Sequence, residues 1–211
     1  MKNKKISQNV LIFKSNVARY LAEYKAILIV CAIFLFLGIF TGVLTAIKHS
    51  GSLELSNLSD VNFVDFLKGD KGTTGLIFPY LLSFVINVCI IIFINFKPWL
   101  ILVNFLVLLA KGYTFAFDIT ILIVLYGFSG IINVLFIILP FEILIGLVLI
   151  VISSFAIKRN IHIKKYGINN TCKNSKINYA KTYWFLIIIG VVFILLKCLL
   201  MPLVRITIIV N

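Results

Sequence analysis

The sequence predicts an all-α fold: a polytopic transmembrane helix bundle of about five spans, amino terminus in and carboxyl terminus out, with one bent or partly re-entrant connection. Three observations lead there. First, hydrophobic residues make up 62% of 211 positions and the mean hydropathy is +1.13. A soluble domain of this length could not hide so much apolar surface, so the solvent is lipid. Second, Ala26–Ile47, Leu76–Phe96 and Tyr183–Leu196 are uncharged runs, matching or approaching the about 20 residues that a span needs. Third, the net charge of +13 is unevenly placed along the chain.

That unevenness sets the topology. Lys2, Lys4, Lys5, Lys14, Arg19 and Lys25 crowd the first segment. Lys158, Arg159, Lys164, Lys165, Lys173, Lys176 and Lys181 fill 158–182 without an acid among them. Loop 48–75 instead sets Glu54, Asp60, Asp65 and Asp70 against Lys48, Lys68 and Lys71. Basic loops stay cytoplasmic, so the first two segments are inside and loop 48–75 is outside. Lys97 and Lys158 then both lie inside, and the apolar stretch between them crosses an even number of times. Two crossings give spans at 26–47, 76–96, 98–117, 131–157 and 183–203, with 118–130 as the bent connection. Three crossings of about twenty residues each, with a sixth span around 118–130, would also fit the stretch by length, but they put the basic loop outside against the same rule.

Taken in order, the chain opens with a basic segment, 1–25. Val10, Phe13, Val17, Tyr20, Leu21 and Tyr24 recur there at helical spacing, with Lys14 and Arg19 off the stripe. This reads either as an interfacial amphipathic helix on the anionic inner leaflet or as a cytoplasmic extension of the first span. Residues 26–210 form a single membrane domain. The first run is too long for a signal-peptide core and is expected to be retained. Within it, Gly38 and Gly42 form a small-xxx-small pair, which suits close helix packing or a homo-oligomer face. In the outside loop, Asp60 can cap a short helix running through Phe63, Asp65 and Phe66. That helix either lies on the membrane or docks an extracytoplasmic partner.

The polar groups inside the apolar stretch are the clearest functional signal. Lys111, Asp118 and Glu142 sit where ionisable side chains are costly, beside Gly112, Gly127, Gly130 and Pro140, which loosen or break helices. Lys111 and Asp118 lie too far apart on one helix for a direct bridge, so Lys111 is expected to meet Glu142 or a lipid phosphate. Asp118 is expected near the outer headgroups, and Lys197 is expected to reach outward toward Arg205. These groups serve either as structural pairing or as an ion or proton path. No catalytic set, cofactor loop or metal cluster accompanies them; His49 and His162 fall on opposite sides. Cys31, Cys89, Cys172 and Cys198 show no metal or redox spacing and read as small packing residues. The basic runs lack stacking aromatics, so nucleic acid is not an expected partner.

The order of several motifs resembles a known family. Leu35-Phe36-Leu37-Gly38-Ile39-Phe40-Thr41-Gly42 is followed by Ile94-Asn95-Phe96, Leu109-Ala110-Lys111-Gly112-Tyr113-Thr114-Phe115-Ala116-Phe117, Leu125-Tyr126-Gly127-Phe128-Ser129-Gly130 and Ile138-Leu139-Pro140-Phe141-Glu142. Over roughly residues 15–200 this is similar to the stage II sporulation protein M family of bacterial integral membrane proteins. Pro140 and Glu142 match the family's pattern; its His-Gly pair is missing, and Ala116 replaces its second glycine. The resemblance implies a non-enzymatic scaffold in the bacterial cell membrane, organising extracytoplasmic cell-wall hydrolases during sporulation or envelope remodelling. The alternative, read from the residues, is a transporter or a transporter's membrane subunit using Lys111, Asp118 and Glu142.

Overall fold

The computed structural model describes the backbone of residues 2–49, 73–94, 101–170 and 175–209, and the side chains of 22, 24–48, 75, 77–93, 101–161 and 182–203. Every described residue is helical. The elements are α1 (Lys2–His49), α2 (Thr73–Ile94), α3 (Ile101–Asn133), a π-helical turn (Val134–Ile138), α4 (Leu139–Asn170) and α5 (Ser175–Ile209). Tyr24–Lys48, Ile101–Ile161 and Thr182–Leu203 are each long and apolar enough to cross a membrane, and Ile77–Phe93 is a shorter apolar helix. The chain is an all-α, multi-pass membrane bundle.

α1 runs unbroken from the basic first segment into the first apolar run. The backbone of residues 2–25 thus belongs to the same helix as the first apolar run. The distribution of side chains on this helix follows from its solvent. Phe36, Phe40, Leu44 and Ile47 face outward, while Cys31, Gly38, Gly42 and Ala46 are buried. Against lipid, large apolar residues lose nothing by exposure, and small residues let backbones approach. Thr41 closes its own hydrogen-bond needs by donating Oγ1 to the carbonyls of Leu37 (3.1 Å) and Gly38 (3.0 Å), as a hydroxyl in lipid must.

α1 packs on α3, and the two run in the same direction. Phe34 stacks on Phe105 with ring centroids 4.7 Å apart. Further along, Gly38 abuts the Leu109 backbone, Gly42 the Tyr113 backbone and Ala116, and Ala46 clusters with Phe117 and Ile121. A β-carbon at Gly38 would overlap the Leu109 carbonyl oxygen, and one at Gly112 would overlap the carbonyl oxygen of Leu35. The contact is therefore reciprocal: Gly38 and Gly42 on α1 face Gly112 and Ala116 on α3. Dispersion between close backbones is what holds such a seam in lipid.

The Ile101–Ile161 stretch folds back on itself. α3 continues as helix through Asp118 to Tyr126, farther than the expected span at 98–117. It breaks at Gly127, with φ 53° and ψ −127°. Residues with a β-carbon rarely adopt that backbone, and among the described residues no atom beyond its own stretch of chain lies within 4 Å of where one would go, so conformation alone demands glycine here. Within 118–130, the departure from helical backbone falls at this one residue. Beyond it, Gly130 packs onto the carbonyl of Leu122, bringing the returning arm against the outgoing one. Asn133 donates Nδ2 to the Ser129 carbonyl at 2.9 Å, which satisfies backbone near the turn. The π turn follows, then Pro140 as the second residue of α4. Proline has no N–H to give, and a locally widened turn accommodates it.

α5 closes the bundle against α2 and α4. Its Gly190 takes the edge of the Phe84 ring from α2. The main core joins Phe84, Val88 and Ile91 of α2 to Leu108 of α3, Leu149 and Ile152 of α4, and Ile194 and Cys198 of α5. Cys31, Cys89 and Cys198 are free thiols, the first and last buried in this core.

Candidate functional site: a buried lysine–glutamate–lysine set

Where α3, α4 and α5 meet, one carboxylate is shared by two ammonium groups. The π turn and Pro140 lead α4 into the bundle so that Glu142 stands on its inner face, 7% exposed. Its Oε1 accepts a hydrogen bond from Lys197 Nζ of α5 at 2.5 Å. Its Oε2 lies 3.0 Å from Lys111 Nζ of α3, but that ion pair is not aligned as a hydrogen bond. The two lysines are held differently. Lys197 is 3% exposed and its ammonium also lies 4.1 Å from the centroid of the Tyr80 ring on α2. Such a contact contributes about 2 kcal/mol when desolvated. The Lys111 side chain keeps 18% of its surface.

Two small cavities flank the set. One, of about 20 Å³, is lined by Tyr80, Ser83 and Asn87 of α2 with Lys111, Glu142 and Lys197. The other, of about 10 Å³, is lined by Asp118 and Phe115 of α3 with Tyr80, Glu142 and Lys197. A third space, of about 360 Å³, is wholly different. It is an apolar groove between α1, α3 and α4, bordered by Leu35, Phe36, Ile39, Gly112, Ile143 and Gly146, with Lys111 and Glu142 along its inner side.

Several expected residues converge here. Lys111 meets Glu142, and Asp118 lines the second cavity beside Glu142 and Lys197. Gly112, one residue from Lys111, faces the other way onto α1. Gly127 and Gly130 form the turn beyond the site, and Pro140 precedes it on α4. Gly38 and Gly42 lie in the α1–α3 seam. Asp60, Phe63, Asp65 and Phe66 fall outside the described residues.

One expectation is corrected. Lys197 does not reach outward toward Arg205; it is buried and bonded to Glu142. Burial beside a carboxylate and an aromatic face is better for an ammonium than a long reach through hydrocarbon. Tyr80, Ser83 and Asn87 of α2 join the site without having been among its expected residues. Their spacing of three and four residues along one helix face was the readable signal. Asn104 is also buried at 0% exposure, and neither atom of its amide finds a hydrogen-bond partner among the described residues.

Among the described residues no group of three or more His, Cys, Asp or Glu is placed to hold a metal ion. No protein-family model matches the chain, and no curated protein or solved structure matches it either.

Proposed function

We propose that the protein is a transporter, or the membrane subunit of one, and that Lys111, Glu142 and Lys197 are its working centre. A single observation carries this reading: one carboxylate and two ammonium groups inside the bundle, with small cavities on either side lined by further polar residues. Packing alone does not call for such a set. A buried ion pair is often no better for stability than apolar side chains of similar volume, so its presence points to use. The break at Gly127 and the π turn before Glu142 favour the same reading. Interrupted helices give a bundle the local freedom that alternating access requires, and π turns concentrate at functional sites.

In this reading the chain crosses five times. The amino terminus and loop 158–182 are cytoplasmic, and the Gly127 turn and carboxyl terminus are outside, in a bacterial plasma membrane. The orientation rests on the basic segments at 1–25 and 158–182.

The test is flux through vesicles reconstituted with the full chain, under imposed pH and halide gradients. Glu142→Gln, Lys111→Met and Lys197→Met should each lower flux by about tenfold or more, as expected for removing a charge-assisted contact of roughly 1.5–3 kcal/mol. Flux equal to wild type in all three variants would sink the reading.

A second reading, a scaffold that organises cell-wall hydrolases outside the cell, is favoured by the motif order from Gly38 to Glu142. It would act through loop 48–75. Hydrolase co-purification that disappears when residues 53–68 are replaced would favour it over transport.

A further inference from the structure

We infer that the apolar groove between α1, α3 and α4 holds one acyl chain of an anionic phospholipid. The headgroup of that lipid sits at the basic end of the same helices, beside Lys25, Lys158 and Arg159. This goes beyond the transport reading and does not depend on it.

The groove itself calls for hydrocarbon. Its volume is about 360 Å³ and its wall is wholly apolar. An apolar cavity of ~150 Å³ already stays dry and accepts an apolar guest. Lys111 and Glu142 turn their charged ends to each other and give this wall only carbon, so a polar guest finds nothing to hold it. Phe36, Ile143 and Leu147 border the groove and are 67%, 48% and 51% exposed. The groove therefore opens sideways, toward the bilayer. Its α4 side runs from Leu139 to Ile150, about 16 Å of helix. A long slot of this kind suits a chain better than a compact ring.

Register and charge say which chain. Lys25 precedes Phe36 by eleven residues, and Lys158 follows Leu147 by eleven. Eleven residues make about three helical turns, so each base lies on the groove side of its helix, ~16 Å from the rim. Half of a bilayer's hydrocarbon is ~15 Å thick. A chain of one leaflet thus spans from these bases to the rim. Lys158 Nζ lies 3.9 Å from the centroid of the Tyr24 ring of α1, which places it where α1 and α4 meet. The rings of Tyr24 and Phe155 are 5.3 Å apart there, so the helices touch at this end and part at the groove. Glu23 is the one acid in residues 1–25 and 158–182. Whichever base it pairs with, Lys25, Lys158 and Arg159 keep a positive surplus, which an anionic headgroup neutralises. A second copy of the chain lying parallel on this face would bring the same surplus and be repelled.

The experiment counts lipids on the full chain in detergent by native mass spectrometry, with thermal midpoints followed in parallel. Three probes are offered: long-chain phosphatidylglycerol, long-chain phosphatidylcholine, and phosphatidylglycerol with chains too short to reach the groove. Wild type should retain one long-chain phosphatidylglycerol in preference to the other two, with a raised midpoint. Gly146→Leu fills the groove from α4 and should lose that lipid. Lys25→Gln alters an exposed side chain. It should weaken phosphatidylglycerol about fivefold, the worth of one basic residue at an anionic surface, and leave phosphatidylcholine unchanged. That variant carries the test if Gly146→Leu does not fold. Short chains held as tightly as long ones would overturn the inference, since the headgroup alone would then bind. Equal retention of the two long-chain lipids would overturn it too, as would a folded Gly146→Leu that keeps phosphatidylglycerol as wild type does. A lipid-free dimer that Gly146→Leu converts to monomer would overturn it by placing a second copy in the groove.

Discussion

The α1–α3 seam and the α3–α4–α5 junction use opposite means to hold helices together in the same hydrocarbon. In the seam, Gly38, Gly42, Gly112 and Ala116, all uncharged, bring two backbones into contact. In the junction, Lys111, Glu142 and Lys197 meet through ions, with small cavities left beside them. Both sit on one turn of α3, where Lys111 faces the junction and Gly112 faces α1. The seam offers only one close-packed arrangement, since any shift costs contacts and gains nothing. The junction has alternatives, because a carboxylate with two partners can keep one and release the other. A fixed wall beside a polar centre with options is an arrangement that suits a moving part.

The largest expected effect comes from breaking the junction unevenly. Glu142→Leu leaves two lysines facing each other without their counter-ion. Breaking a buried pair costs about 3–5 kcal/mol, and the thermal midpoint in detergent should fall accordingly. The triple change Lys111→Met, Glu142→Leu, Lys197→Met removes the whole set at similar volume and should recover most of that loss, while flux stays about tenfold or more below wild type. Recovery of fold without function would mark the ions as kept for use. A triple variant as unstable as Glu142→Leu would instead make the junction structural.

How much of this could be read beforehand differs between the two regions, and for physical reasons. Sequence reports depth in the bilayer well, because hydropathy and basic loops depend on it directly. It reports poorly which residue lies opposite across a bundle. Lys111 and Glu142 stood out as misplaced charges, and a partnership between them was one of two options. Lys197, 55 residues from Glu142, looked like a lysine near a span end with Arg205 close by. Nothing local revealed that α5 turns it inward. The small-residue pair Gly38 and Gly42 was visible, but its partner was not. The matching pair on α3, Gly112 and Ala116, is interleaved with bulky Tyr113 and Phe115 and preceded by a lysine. Gly127 was legible as a breaker, whereas the continuation of helix through Asp118 to Tyr126 was not, because an aspartate in an apolar stretch resembles a boundary.

The seam supplies the next effect in size. Gly38→Ala places a methyl group on the Leu109 carbonyl, and backbone cannot move aside as a side chain can. Overpacking of this kind costs about 1–3 kcal/mol, which should appear as a lower midpoint in detergent. Lys111 is carried on the same turn of α3 as the displaced contact, so flux should fall as well. If Gly38→Ala is as stable as wild type, the two helices are not held at this distance and the contrast with the junction fails.

The smallest effect separates close approach from the mere presence of glycine. Gly146 on α4 also faces α1, but across the apolar groove rather than in the seam. A β-carbon there would lie 3.5 Å from Leu35 Cδ1 and within 4 Å of no other atom beyond its own helix turn among the described residues. That is ordinary van der Waals contact with the far end of a flexible side chain. Alanine also favours helix over glycine by roughly 0.5–1 kcal/mol. Gly146→Ala should therefore leave the midpoint unchanged or raise it slightly, and leave flux intact, since the methyl group enters the groove with only ordinary contact to Leu35. A loss matching that of Gly38→Ala would mean that α1 closes on α4 as tightly as on α3. The groove would then be part of the packed wall, and the only mobile boundary left to the polar centre would be its contact with α2 and α5.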